Sequence, residues 1–106
     1  MSSLAIKYLK FADFRHSIQN KYDVQFYEQQ ILRVITQNNF QGTPLRVRNL
    51  LDMTCIASPA TIHKAMKLLI SKGFLKVEMD KTDGRIKYLV PTPRTIKLFT
   101  EIGKEM

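Results

Sequence analysis

Apolar residues recur along the chain with two different periods, and the switch between them divides the fold. From about Leu4 to Ile18, Leu4, Tyr8, Phe11 and Ile18 fall on one face of a helix. Ile6, Leu9 and Phe14 widen that face beyond what one packing partner usually covers, so burial in the core and a subunit interface both account for it. Asn20 to Tyr22 breaks the pattern, and Asp23 is placed to cap a second helix. Val24, Tyr27, Ile31, Val34, Ile35 and Asn38 carry that helix to about Asn39, and Gly42 closes it.

Two short helices with matching entry signals follow. Thr43-Pro44 and Ser58-Pro59 each offer a hydroxyl at the N-cap and a proline at the first helical position. The hydroxyl can accept from a free backbone N–H, and proline has none to leave unpaired. The spacing predicts helices over about Pro44 to Leu51 and Pro59 to Lys72, with Gly73 as C-terminal cap and a turn over Asp52 to Ala57. Two helices joined in this way are a helix-turn-helix candidate.

After Gly73 the period becomes two. Leu75, Val77 and Met79 alternate with Lys76 and Glu78, and Ile86, Tyr88 and Val90 alternate with Lys87 and Leu89. Asp83-Gly84 lies between the runs, a hairpin signal. Pro91 and Pro93 are expected to stop the strand, and Thr95 to Lys104 to form a last helix. The fold class predicted is mainly α with a small β-hairpin wing, a winged helix-turn-helix. It forms one domain over residues 1–106: an N-terminal helix in 1–22, the motif and wing in 43–92, and a C-terminal helix in 93–106.

Charge adds direction to this layout. The chain of 106 residues has 17 Lys+Arg against 9 Asp+Glu, a net charge of +8. Eleven of the bases and only four of the acids lie between Gly42 and Lys97, so the motif and wing carry nearly all of the excess. Such a surface attracts a polyanion. A projection of the Pro59–Lys72 helix puts Ile62, Ala65, Met66 and Leu69 on one side, and Ala60, His63, Lys64, Lys67 and Ser71 on the other. A helix that enters a major groove needs slim leading residues and cationic flanks. Ser58 and Thr61 sit where a helix N-terminus meets phosphate. Lys64 and Lys67 alone would read as ordinary solvated lysines; the basic hairpin that follows changes their weight. Lys81 and Arg85 at its tip suit an adjacent minor groove, and Asp83 can orient the Arg85 guanidinium by a carboxylate fork.

With these residues in place, positions 43 to 92 resemble the winged helix-turn-helix of the MarR family of bacterial transcriptional regulators. The matching run is Ser58-Pro59-Ala60-Thr61-Ile62, Leu69, Lys72-Gly73-Phe74-Leu75, Asp80-Lys81-Thr82-Asp83-Gly84-Arg85 and Thr92. Its most specific element is the Asp-x-x-Asp-x-Arg spacing ahead of a β-run. The resemblance implies that the second motif helix reads the major groove, and that Asp83 and Arg85 are the wing's functional pair. It also implies a homodimer built by the N- and C-terminal helices, with any small-molecule effector held near them. Two features depart from the family pattern. Pro91 precedes Thr92 with no glycine until Gly103, and the family's longer C-terminal helix has no counterpart, which shifts dimer contact towards the N-terminal helix.

Other classes find little support in the residues. There is no glycine-rich phosphate loop and no nucleophile elbow, so no enzyme and no cofactor are expected. His16 and His63 fall on different helices without a cysteine or carboxylate cluster, which argues against a metal site. No apolar run nears the roughly 20 residues of a membrane span. The single cysteine, Cys55, is expected to be buried, and with no secretion signal at the start a cytoplasmic location follows. Two rivals use the same fold: a protein-contact module, which would lose the basic face, and a plasmid or phage replication initiator, which the sequence separates poorly from a repressor.

Overall fold

Ile31, Leu32 and Ile35, three fully buried residues of one helix, lie at the centre of a core shared by the other elements. The computed structural model describes residues 2–53 and 55–104. In chain order it contains α1 (Ser3–Tyr22), α2 (Phe26–Phe40), α3 (Val47–Leu51), α4 (Pro59–Ser71), β1 (Leu75–Met79), β2 (Lys87–Pro91) and α5 (Pro93–Gly103). The expected class is therefore observed, a mainly helical fold with a two-stranded hairpin. Glu105 and Met106 of the expected C-terminal segment, and Thr54 of the expected turn, lie outside the described residues.

The core takes Leu50 from α3, Ile62 and Leu69 from α4, Leu89 from β2 and Leu98 from α5, with Phe74 between α4 and β1. Each is fully buried, and burial of one such side chain stabilises a fold by about 1.5–3 kcal/mol. α4 ends in two reversed hydrogen bonds, Gly73 N–H to Ile70 C=O and Phe74 N–H to Leu69 C=O. Gly73 has φ +83°, which closes the helix and turns the chain towards β1. α5 is fastened beneath this exit. Thr92 Oγ1 donates to the Gly73 carbonyl, while Thr95 Oγ1 and the Thr92 N–H donate to the Phe74 carbonyl.

Four local expectations are corrected. α1 continues through Asn20–Tyr22, and Asp23 is its C-cap in the left-handed region (φ 56°), not the cap of α2. A short polar side chain tolerates that conformation better than most. α2 starts instead after Gln25, whose N–H donates to Glu28 Oε1. Thr43-Pro44 opens no helix: α3 begins at Val47, and the preceding stretch runs extended beside β2. There Leu89 N–H donates to the Leu45 carbonyl, and Arg46 forms an isolated antiparallel bridge with Tyr88. β1 and β2 pair with Leu75 opposite Pro91 and Val77 opposite Leu89, and Leu75 and Leu89 are the buried residues of the hairpin. Pro91 is still within β2, and α5 enters at Thr92-Pro93, earlier than the sequence suggested.

α1 stands apart from this body. Ile18 and Tyr22 near its C-terminus are buried, whereas Leu4 (77% exposed), Tyr8 (63%) and Leu9 (48%) are not. With about 1.5 Å per residue the helix is about 30 Å long, and the molecule extends 57 × 26 × 23 Å. A cation–π contact between Arg15 and Phe26 (4.2 Å) and the Lys21–Glu101 pair (3.0 Å) hold its second half to the body. Core burial therefore explains the C-terminal end of the apolar face and leaves the N-terminal half without a partner among the described residues.

A Cβ at Gly73 would meet no atom within 4 Å, so a substitution there costs backbone strain alone. Gly73→Ala should lower unfolding free energy by about 1–2 kcal/mol. Urea denaturation should show a lower midpoint and an unchanged slope; an unaltered midpoint would mean that the turn is not held in the left-handed region.

Candidate nucleic-acid interface

α4 divides between core and solvent along its length. Ile62, Ala65, Met66 and Leu69 are buried, while Ala60, His63, Lys64, Lys67 and Ser71 are all exposed. Period and burial agree because one face packs on the core and the opposite face is free of any described element. The N-terminal end is closed as the Ser-Pro signal requires. Ser58 Oγ accepts from Thr61 N–H at 3.3 Å and donates to Thr61 Oγ1 at 2.9 Å. Ile62 N–H donates to the Ser58 carbonyl, and Pro59 has no N–H. In the first turn this leaves the Ala60 amide without a partner among the described residues. Thr61, which accepts from Ser58, keeps its own hydroxyl proton for an outside acceptor.

The wing tip is organised by two carboxylates in series. Asp80 Oδ2 accepts from Thr82 N–H (3.0 Å), Thr82 Oγ1 (2.7 Å) and Asp83 N–H (3.1 Å), and Asp80 Oδ1 accepts from Tyr88 OH (3.2 Å). This cluster fixes the loop from which Asp83 projects. Asp83 then grips Arg85 three times: Oδ1 takes the backbone N–H (3.0 Å) and Nε (3.2 Å), and Oδ2 takes Nη2 (3.3 Å). The Arg85 side chain nevertheless stays 91% exposed. A planar cation is thus held at a set angle and presented to solvent. Lys81 beside it is exposed.

Both carboxyls are drawn below their ordinary value of 3.8, Asp80 chiefly by the Thr82 hydroxyl and Asp83 chiefly by the Arg85 side chain. The Arg46 charge also lowers Asp83, and Arg46 bridges to Tyr88 of β2 beside the wing. Glu78 pairs with Lys76 at 3.3 Å.

All nine residues singled out from sequence are thus placed: Ser58, Ala60, Thr61, His63, Lys64 and Lys67 at the start or on the outer face of α4, and Lys81, Asp83 and Arg85 in the wing loop. Sequence reasoning missed Asp80, Thr82 and Tyr88 as the scaffold of that loop. The Asp-x-Thr spacing, a side-chain turn signature, points to the first two; Tyr88 becomes a partner only through strand pairing. Cys55 is exposed, which corrects the expectation of a buried thiol. Among the described residues no group of His, Cys, Asp and Glu could hold a metal, and no helix is long and apolar enough to cross a membrane.

Because folding holds both carboxyls below their unfolded values, their contribution to the wing is complete above about pH 4 and disappears only as the pH falls through the lower folded values. NMR amide signals of Thr82, Asp83 and Arg85 should therefore keep their positions from pH 8 to about pH 4 and shift together below it. Asp80→Ala should release them at neutral pH. A transition between pH 5 and 7 in the unaltered protein would contradict the assignment.

No family model and no curated protein matches the chain. Solved structures do. S. aureus MepR in a DNA complex covers 97% of this chain and 81% of its own, at 21% identity and a TM-score of 0.68. MarR covers 96% and 71%, at 19% identity and 0.66. The transcriptional regulator Tm0710 of Thermotoga maritima covers 98% and 73%, at 17% identity and 0.66. The chain therefore has the winged-helix fold of MepR, MarR and Tm0710.

Proposed function

We propose that this chain is a double-stranded DNA-binding transcriptional regulator of the MarR kind and not an enzyme, acting in the cytoplasm. The observation that carries the reading is the Asp83–Arg85 fork: a guanidinium gripped by a carboxylate and still open to solvent, on a fold shared with a protein solved on DNA. α4 is the major-groove helix. Ala60 and Thr61 lead it, His63 and Lys64 face base edges, and Lys67 meets phosphate. Ser58 shapes its N-terminus. The wing brings Arg85 and Lys81 to the adjacent minor groove, where a narrow A·T-rich stretch concentrates negative potential. Arg46 and Arg48, both exposed, add phosphate contacts beyond those foreseen from sequence.

The working unit is a homodimer. Leu4, Ile6, Tyr8 and Leu9 leave apolar surface exposed around the first half of α1, which water does not favour, and Ile96 on α5 is exposed as well. Two copies joined through α1 and α5 would cover these residues and present two reading helices to two half-sites.

Three measurements test this. Affinity for duplex DNA should fall steeply with salt, with a log–log slope near −0.9 for each phosphate neutralised. Lys67→Ala should weaken binding to all sequences alike and make the slope shallower by about one contact, whereas Arg85→Ala should reduce affinity chiefly at A·T-rich flanks. Light scattering should give twice the monomer mass, and Leu4→Glu with Tyr8→Glu should return it to the monomer. Binding that is indifferent to salt and to all these substitutions would favour a protein-contact role for the same fold.

A further inference from the structure

The end of α1, the exit of α4 and one side of α5, from Arg94 to Glu101, meet at one joint that direct DNA contact does not account for. Lys72, the C-cap of α4, donates to the Asp23 carbonyl at 2.6 Å and stands 3.5 Å from the Asp23 carboxylate. Its side chain is only 27% exposed, whereas Lys64 and Lys67 on the outer face of the same helix are open to solvent. Just beyond, the Phe74 and Tyr22 rings lie 6.3 Å apart, with the Arg94 guanidinium 4.8 Å and 6.0 Å from their centres. Tyr22 OH donates to Glu101 of α5 at 2.8 Å. The last turn of α1 is thus held by α4 through Lys72 and by α5 through Glu101.

The geometry makes this joint a lever. α4 has 13 residues and is about 20 Å long. A tilt of about 5° at Lys72 moves Ala60 by about 1.6 Å and His63 by about 1.2 Å. A hydrogen bond to a base edge tolerates only about 0.5 Å in donor–acceptor distance. Phosphate contacts, which rest on long mobile side chains and a diffuse field, tolerate more.

We infer that Lys72 is a positioning residue, which sets the angle of α4 against α1 and so makes sequence recognition depend on how α1 is held. The inference rests on the reading of α4 as the DNA-reading helix. It separates Lys72 from the lysines proposed to touch DNA, and it gives the unpartnered end of α1 a route to the reading face.

The test uses the full chain with Lys72→Met, which keeps the stem and removes the charge, together with Lys72→Arg and Asp23→Asn. A randomised 20-base-pair duplex library is selected on the wild-type protein, and affinities are then compared for the most enriched duplex and for a random duplex across salt. Lys72→Met should cut the preference for the enriched duplex by at least about fivefold, the low end for coupled sites, and leave the salt slope unchanged. Lys72→Arg should restore the preference, and Asp23→Asn, which keeps the carbonyl, should cut it less. A slope shallower by about 0.9 would make Lys72 a phosphate contact and overturn the inference. An unchanged preference would overturn it too.

Amide hydrogen exchange decides the joint without DNA. Lys72→Met should loosen the docking of α4 on the core and so speed exchange at residues 62–66, six to ten residues away along the helix, as well as at residues 22–24. Faster exchange confined to residues 22–24 would mark a local prop and overturn the inference. If the wild-type protein enriched no sequence, the DNA reading would fail alone, and the exchange result would still decide the coupling.

Discussion

The burial of Phe74 is the constraint on which the rest of the molecule depends. Its ring is fully buried, which forces α4 to end, the chain to reverse at Gly73 and the hairpin to begin. Its carbonyl accepts from the Thr92 amide and the Thr95 hydroxyl, so the same residue also anchors the start of α5. Tyr22 and Arg94 pack on it from outside. α4, the hairpin and the flanking helices therefore share one origin. A shift there would move all of them, whereas a change at the wing tip stays local.

The wing solves a different problem. An arginine on a loop has many conformations, and fixing one costs up to about 2 kcal/mol of side-chain entropy. Here the cost is met before any ligand arrives, because Asp83 holds Arg85 and Asp80 holds Asp83. This is preorganisation in the ordinary sense. It also resolves why two acids sit in a surface proposed to meet phosphate: both are occupied by donors of their own loop.

Shape and charge follow from how the core was filled. The core takes one face each of α2 and α4, Leu50 of α3, the inner residues of the hairpin, one stripe of α5 and the last turns of α1. Among the described residues, no element covers the first half of α1. Lys64 and Lys67 on the outer face of α4, and Lys81 and Arg85 on the wing, are exposed together on the side where the proposed partner would approach.

Residues 58 and 59 did in space what their chemistry suggested, and residues 43 and 44 did not, although the dipeptides are alike. The difference is not local. Leu45 and Arg46 find backbone partners on Leu89 and Tyr88, and that pairing outweighs the start of a three-residue extension to a short helix. Asp23 ended one helix where it had been expected to begin another, because Tyr22 continues α1 in order to reach Phe74 and Glu101. The sequence by itself determined whatever is satisfied within a few residues: the Ser58 cap, the two-faced period of α4, the hairpin, and the Asp83–Arg85 fork with its charge. Only the tertiary structure decided which strand residue fills the core, which apolar face stays bare, and how α4 is tied to α1 and α5. Those outcomes depend on partners far apart in the chain, Leu45 with Leu89, Gly73 with Thr92 and Asp23 with Lys72, and local periodicity carries no information about which distant group will be there to pair.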